Sequence, residues 1–147
     1  RVRTIKNAKK AGLKICSGGI FGIGESTDDI LDLIFSLQEL DVDTIPLNFL
    51  NPIPGSPFEN CVPLKPMEIL KIVSFVRFVL PDKEIKIAGG RETNLRDLQS
   101  WMFYAGANST MIGDYLTTKG KPANEDIQMI KDLGLVYKIR EKETKAV

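Results

Sequence analysis

The sequence predicts an α/β fold in which four strand and helix units form one half of a (β/α)8 barrel of the TIM type. Strands and helices alternate along the chain with short connections, which indicates a parallel sheet with right-handed crossovers. Three strands also separate apolar from polar residues, whereas a doubly wound sheet is apolar on both faces. A repeated polar face is typical of a barrel whose lumen holds a polar group, and such barrels bind ligands at the carboxyl ends of their strands.

The elements of this fold are predicted from hydrophobic periodicity and from the residues at their ends. The segment 3–11 has a helical pattern that closes at Gly12, and the segment 27–40 has the spacing of a half-buried helix. Pro66 occupies a favoured first helical position, and that helix ends before Pro81. The complete prediction is strands at 13–16, 44–50, 84–88 and 109–112, and helices at 3–11, 27–40, 66–80, 94–104 and 123–133.

The first three strands alternate between two kinds of side chain. The apolar positions are Leu13, Ile15, Ile45, Leu47, Phe49, Ile85 and Ile87, and the positions on the other face are Lys14, Cys16, Thr44, Pro46, Asn48, Lys86 and Ala88. Buried polar groups need partners, so the second face is expected to line the lumen. Cys16, Asn48 and Arg91 are expected at or just beyond the carboxyl ends of the strands.

The composition excludes several classes of function. A net charge of +1 gives no reason to expect nucleic acid as a partner. The longest apolar run, 69–80, is too short and too charged to span a bilayer, and no signal peptide is visible, so a cytoplasmic location is expected. The chain has no histidine, which rules out a histidine zinc site or a histidine-dependent triad built from this chain alone. Its two cysteines suggest no disulfide framework.

The segment 16–25, CSGGIFGIGE, is the most informative part of the chain. Its four glycines permit close approach of the backbone and positive φ angles, which together indicate a ligand site. Ser26 and Asp29 then form a predicted capping box at the start of the next helix. A phosphate cradle is one interpretation of this loop. A dinucleotide fingerprint is a weaker one, because Thr27 stands where the third glycine belongs.

Five short segments stand in the order and spacing of a known family. They are CSGGI at 16–20, PLN at 46–48, AGGRE at 88–92, AGANS at 105–109 and GDYLTT at 113–118. Together they resemble the C-terminal half of the biotin synthase family over roughly residues 1–137, with 138–147 as a charged, frayed tail. Members of that family are radical S-adenosylmethionine enzymes with a (β/α)8 barrel, and they insert sulfur into dethiobiotin in the last step of biotin biosynthesis.

The resemblance implies two cluster ligands in this chain. Cys16 matches a thiolate ligand of a 2Fe-2S cluster that is buried in the barrel and is regarded as the sulfur donor. Arg91, in the AGGRE segment, matches the unusual nitrogen ligand of the same cluster. From the residues alone, a lone cysteine is more often a small buried hydrophobe, and a protonated arginine is a poor ligand.

The resemblance also implies sites for the cofactor and the substrate. The pattern Gly18, Ile20, Gly22 and Glu25, with Gly19 in the same segment, matches the glycine-rich motif that binds S-adenosylmethionine, where the isoleucine packs on the adenine. Asn48 matches the asparagine whose amide holds the ureido ring of dethiobiotin. An amide suits a cyclic urea because it offers both a donor and an acceptor.

The chain departs from the family where the first half of the barrel is missing. The CxxxCxxC segment that binds a 4Fe-4S cluster and the other two cysteines of the 2Fe-2S site are absent. The chain is therefore expected to be a fragment, inactive alone, of an enzyme that is homodimeric when complete and takes electrons from a donor such as flavodoxin or ferredoxin. Cys61 is expected to be incidental. The alternatives are an iron-only hydrogenase maturase, a methylornithine synthase, or a phosphate-binding half-barrel.

Overall fold

The computed structural model describes residues 1–115 and 119–139, and these divide into two compact units between Met111 and Ile112. The first unit contains strands β1 (Gly19–Phe21), β2 (Thr44–Phe49), β3 (Glu84–Ile87) and β4 (Ser109–Thr110). Its helices are α1 (Val2–Lys10), α2 (Thr27–Glu39), α3 (Pro66–Val79), α4 (Arg91–Leu95) and α5 (Trp101–Tyr104), with a 3-10 turn at Arg96–Leu98. The second unit contains α6 (Ala123–Asp132).

The four strands form one parallel sheet in the order β1-β2-β3-β4, as the alternation predicts. One face of the sheet is apolar and buried, and its central residues are Ile45, Leu47, Phe49, Ile85 and Ile87. The buried side chains of α2 and α3 belong to the same core, including Ile34, Leu37, Ile69, Val73 and Val76. The predicted separation of apolar and polar residues on β2 and β3 is therefore confirmed.

The predicted starts of α2 and α3 are also confirmed. The Ser26 hydroxyl accepts a hydrogen bond from the Asp29 amide at 3.2 Å, and the Ser26 amide donates to the Asp29 carboxylate at 2.8 Å. The Ser26 side chain and amide hold the pKa of Asp29 below its ordinary value. At α3, Pro66 is the first residue, and Glu68 accepts from the Lys65 amide at 2.7 Å.

The prediction of a first strand at 13–16 is wrong. Regular pairing covers Gly19–Phe21, and Cys16 forms only an isolated parallel bridge with Thr44. The offset between partners is the same for the bridge and for β1, so the segment is one strand with an interruption. Pro46 explains the interruption, because proline has no N–H to donate to the ladder.

The prediction of one helix over 94–104 is also wrong. The segment contains α4, the 3-10 turn and α5, and the break falls at Arg96, whose φ is +51°. Two side-chain amides compete with the helical backbone here. Asn94 donates to the carbonyls of Leu50 and Gly90, and Gln99 donates to the carbonyl of Arg96.

A cluster of charges fixes the turns that precede β2 and β3. The Asp41 carboxylate lies 2.6 Å from the Lys9 ammonium at the end of α1 and 2.6 Å from the Lys83 ammonium just before β3. Lys83 and Lys9 together lower the pKa of Asp41 from 3.8 to about 2. Asp41 has a φ of +48°, a conformation that aspartate and asparagine adopt more readily than most residues.

The second unit is small. Within it, α6 ends at Asp132 with Leu133 as its C-cap, and Gly134 follows with a φ of +68°, as predicted for a glycine after a helix. The Gly120 amide donates to the Asp114 carboxylate at 3.2 Å. Residues 116–118 of the GDYLTT segment and residues 140–147 of the predicted tail lie outside the described residues. In the part of the chain that the structure describes, every helix is too short or too polar to cross a membrane.

Replacing Asp41 with asparagine should remove a pH dependence of stability. The pKa of Asp41 is lowered in the folded chain, so its contribution is present above pH 3.8 and is lost as the pH falls towards 2. Unfolding midpoints of Asp41→Asn should therefore vary less than those of the parent chain across this interval. Asp82→Asn is the control, because Asp82 is exposed and lies 3.6 Å from Lys83. Equal pH profiles for Asp41→Asn and the parent would contradict the prediction.

Candidate functional site

The strand register places a set of polar residues on one face of the sheet, which we call the polar face. Paired residues of neighbouring parallel strands point to the same face, and residues two apart on a strand also share a face. Thr44 pairs with Cys16 and with Glu84, and Lys86 pairs with Pro46 and with Ser109. The polar face therefore comprises Cys16, Ile20, Thr44, Pro46, Asn48, Glu84, Lys86, Ala88 and Ser109.

Cys16 lies at the opposite end of this face from the expected one. Its bridge partner Thr44 is the first residue of β2, so the thiol is at the amino end of the sheet. The expectation that Cys16 lies at a carboxyl end is wrong, because the interruption opposite Pro46 conceals three further residues of the same strand. The cysteine is free and exposed, and it faces the lumen side.

A polar network lies beside Cys16 on the polar face. The Lys86 ammonium lies 3.3 Å from the Glu84 carboxylate, and the Thr44 hydroxyl donates to that carboxylate at 3.4 Å. The alternation of residues predicts Thr44 and Lys86 on this face, but Glu84 was not predicted there. The spacing of Glu84 and Lys86 at alternate positions of β3 was the signal for such a pair.

Asn48 lies near the carboxyl end of β2, as expected, and its amide joins three segments. Its Nδ2 donates to the Gly19 carbonyl of β1 at 3.2 Å, and its Oδ1 accepts from the Gly89 amide after β3 at 3.0 Å. A primary amide has two N–H groups and two acceptor lone pairs, so one of each remains. The half-buried side chain can still offer a donor and an acceptor to a ligand.

The glycine-rich segment approaches β2 closely at Pro46. A Cβ on Gly18 would lie 2.0 Å from the Pro46 carbonyl oxygen, so only glycine fits there. Ile20 pairs with Asn48 and is 55% exposed on the polar face. The structure therefore brings Ile20 and Asn48 together.

The Glu25 side chain is hydrogen-bonded to the backbone of this loop. Its carboxylate accepts hydrogen bonds from the Gly22 amide at 2.6 Å and from the Ile23 amide at 2.8 Å. The Ser26 amide is likewise bonded to Asp29. These donors are thus occupied by carboxylates, whose charge also repels an anion. The arrangement disfavours the phosphate-cradle interpretation.

The structure does not bring Arg91 to Cys16. Arg91 is the first residue of α4 and is fully buried, and its guanidinium donates to the Thr110 hydroxyl at 3.2 Å and to the Glu92 carboxylate at 2.9 Å. Thr110 pairs with Ile87, which belongs to the apolar face. Cys16 and Arg91 are therefore on opposite faces and near opposite ends of the sheet.

The described residues do not complete a metal site. No group of three or more histidine, cysteine, aspartate or glutamate side chains within 1–115 and 119–139 is placed to hold a metal ion. Cys61 lies apart from the polar face residues, in the lining of a cavity of about 220 Å³ formed by Gly22, Gly24, Glu25, Cys61, Val62 and Leu64.

Comparison with protein families gives a match over most of the first unit and part of the second. The model for the Biotin and Thiamin Synthesis associated domain matches residues 46–136. The chain belongs to this family. The match covers the last four residues of β2, the AGGRE segment and α6, so it includes both Asn48 and Arg91.

The curated relatives of this family member include several biotin synthases. The chain is 58% identical over 134 residues to biotin synthase of Geotalea uraniireducens, and the match covers 91% of the chain and 41% of the relative. The biotin synthase of Geotalea daltonii is 59% identical with the same coverage, and that of Geobacter sulfurreducens is 56% identical over 93% of the chain and 42% of the relative. The chain thus spans about two fifths of their length, and the resemblance to biotin synthase is confirmed.

The solved structures confirm the fold. Methylornithine synthase (PylB) matches with a TM-score of 0.68 at 19% identity, over 91% of this chain and 43% of that structure. At this identity the match concerns the fold alone. The four-stranded parallel sheet with alternating helices corresponds to one half of a (β/α)8 barrel.

Adding a methyl group at Gly18 should disrupt the pairing of β1 with β2. The new Cβ would overlap the Pro46 carbonyl oxygen, and overpacking of this kind costs about 1–3 kcal/mol. Gly18→Ala should lower the thermal unfolding midpoint by several degrees. The neighbouring Ser17→Ala is the control and should leave the midpoint nearly unchanged. Equal midpoints for the two variants would show that the close approach does not constrain the strand.

Proposed function

We propose that this chain is the C-terminal half of the catalytic barrel of a biotin synthase, which converts dethiobiotin to biotin by radical S-adenosylmethionine chemistry. The observation that carries the proposal is the 56–59% identity to biotin synthases over more than nine tenths of the chain. The polar face supports it, because the face presents a free thiol at one end and an available amide at the other. The identity to methylornithine synthase, in contrast, is 19%.

Asn48 is the proposed contact for the ureido ring of dethiobiotin. Its remaining N–H can donate to the ring carbonyl, and its remaining lone pair can accept from a ring N–H. The hydrogen bonds to Gly19 and Gly89 fix the plane of the amide, which prepares it for a planar ligand.

Cys16 is the proposed thiolate ligand of a 2Fe-2S cluster. Lys86 and Thr44 lie on the same face as Cys16. Their ammonium and hydroxyl are bonded to the Glu84 carboxylate, and both would have to turn from Glu84 to interact with an anionic cluster. When bound, the cluster supplies the sulfur atom that is inserted. Since this chain offers a single thiolate here, the other cysteine ligands must come from the rest of the barrel.

The cation beside the cluster is better assigned to Lys86 than to Arg91. The register puts Lys86 on the face of Cys16, whereas Arg91 is buried on the other side of the sheet. We propose that Arg91 holds the start of α4 against β4 through Thr110, and that Lys86 offsets the negative charge of the thiolate. The ligand role that the resemblance implies for Arg91 would require its guanidinium to leave this buried position.

The loop from Gly18 to Glu25 is the proposed contact for S-adenosylmethionine. Ile20 is exposed on the polar face and can pack on the adenine ring, while Gly18 lets the loop lie close to β2. Glu25 holds the loop closed through two of its amides. The 4Fe-4S cluster that binds the methionine part is assigned to the missing half of the barrel. We also propose that the full-length enzyme is a cytoplasmic homodimer and that it takes electrons from a donor such as flavodoxin or ferredoxin.

A hybrid enzyme tests the proposed function. In it, this chain replaces the segment that it matches in the biotin synthase of Geotalea uraniireducens. The hybrid should restore growth of a biotin auxotroph on dethiobiotin and should form biotin when purified and reconstituted. A folded hybrid that contains both clusters but forms no biotin would overturn the proposal.

Replacing Asn48 in the hybrid enzyme should weaken the binding of dethiobiotin. Asn48→Ala leaves a ring donor and a ring acceptor unpaired, at a cost of about 1–3 kcal/mol for each group. Titration calorimetry should show the loss, while iron and sulfide contents stay at the level of the parent. The control is Asn108→Ala, since Asn108 is an amide before β4 that bonds the Ile85 amide instead. Unchanged affinity in Asn48→Ala would remove this residue from the site.

The two cysteines of the chain provide a matched test of the cluster assignment. Cys16→Ala in the hybrid enzyme should abolish the 2Fe-2S absorption and biotin formation, because a thiolate ligand is lost. The 4Fe-4S cluster should still assemble. Cys61→Ala should retain the 2Fe-2S spectrum, since Cys61 lies off the polar face. A normal 2Fe-2S spectrum in Cys16→Ala would contradict the assignment.

A further inference from the structure

The backbone turn after β3 is fixed against the end of β2 by several contacts. The Phe49 amide donates to the Gly89 carbonyl at 2.8 Å, and the Gly89 amide donates to Asn48 Oδ1 at 3.0 Å. Gly90 has a φ of +80°, and a Cβ at this position would lie 1.8 Å from the Phe49 carbonyl oxygen. The turn can therefore approach β2 this closely only because residue 90 is glycine.

Asn94 connects this turn to β2 from the first helical turns of α4. Its Nδ2 donates to the Gly90 carbonyl at 2.8 Å and to the Leu50 carbonyl, directly after β2, at 3.1 Å. The side chain is 2% exposed, and its Oδ1 is buried without a hydrogen-bond partner. Burying the unpaired Oδ1 costs free energy. We infer that the two hydrogen bonds made by the NH₂ group offset this cost and stabilise the turn.

We propose that Asn94 is a positioning residue for the substrate amide of Asn48. This inference rests on the proposed function of Asn48. Asn94 does not touch Asn48 in the contacts above. It holds Gly90 against the end of β2, and the adjacent Gly89 amide then fixes Asn48 Oδ1. The orientation of the amide presented to the ureido ring is thus set from the buried side of the sheet.

The chemistry explains why asparagine suits this position. One primary amide nitrogen supplies two donors to two carbonyls that belong to different segments, which a hydroxyl with a single O–H cannot do. Aspartate would replace both donors with acceptors and bury a charge. Leucine keeps the number and branching of the side-chain heavy atoms of asparagine and removes both bonds.

The experiment compares two buried amides in the hybrid enzyme defined above. Asn94→Leu removes the two bonds to Gly90 and Leu50. Gln99→Met is the matched control, because Gln99 is 5% exposed, also has an unpaired carbonyl oxygen, and donates only to the nearby Arg96 carbonyl. Dethiobiotin affinity is measured by calorimetry, and KM and kcat are measured with the reconstituted enzyme.

We expect Asn94→Leu to raise both the Kd and the KM for dethiobiotin about tenfold, with kcat changed by less than about twofold. Gln99→Met should keep both constants near the parental values even if its unfolding midpoint falls. Equal losses of affinity in the two variants would overturn the inference, since they would indicate a general effect of destabilising the core.

A second substitution keeps the test decisive if Asn94→Leu does not fold. Gly90→Ala displaces the same turn, and its control is Gly12→Ala, where φ is also positive but no atom lies within 4 Å of the added Cβ. Gly90→Ala should weaken dethiobiotin binding, and Gly12→Ala should not. Normal binding by Gly90→Ala would refute the positioning role. Absence of dethiobiotin binding in the unsubstituted hybrid would instead refute the proposed function.

Discussion

The separation of the sheet into an apolar and a polar face is the constraint on which the rest of the structure depends. The apolar face is covered by α2 and α3, and burial of isoleucine, leucine and phenylalanine side chains there supplies the main stabilising free energy. The polar face carries a lysine, a glutamate, an asparagine and a thiol. Such groups are costly to bury unless they have partners, so whatever covers this face has to supply polar partners to them.

The two ends of the polar face are specialised in different ways. The amino end holds Cys16 on the same face as the ion pair of Glu84 and Lys86. The carboxyl end holds Asn48 between the glycine-rich loop and the turn after β3. The rise of a strand separates residues four apart by about 13 Å, so Cys16 and Asn48 are too far apart to contact the same small group.

Much of the fold could be predicted from the sequence because its signals are local. The capping residues Ser26 and Asp29, Pro66 at the start of α3 and the alternation on β2 each depend on neighbouring residues only. The interruption of the first strand could not be predicted in this way. It arises because Pro46, on a different strand, withholds one N–H from the ladder. The break at Arg96 likewise depends on Asn94 finding the Leu50 carbonyl, 44 residues earlier in the chain.

At the candidate site, too, the face of the sheet that a residue occupies could not always be predicted from the local sequence. Short motifs identified Cys16 and Asn48, but they carry no information on which face of the sheet a residue occupies once the strand has ended. Arg91 stands four positions after Ile87, and a glycine turn intervenes, so the alternation of β3 no longer determines its direction. Lys86 lies within the strand, where pairing with Pro46 and Ser109 fixes its face. Register shows that Lys86, inside β3, shares the face of Cys16, and it therefore favours Lys86 over the arginine of the motif as the cation of that face.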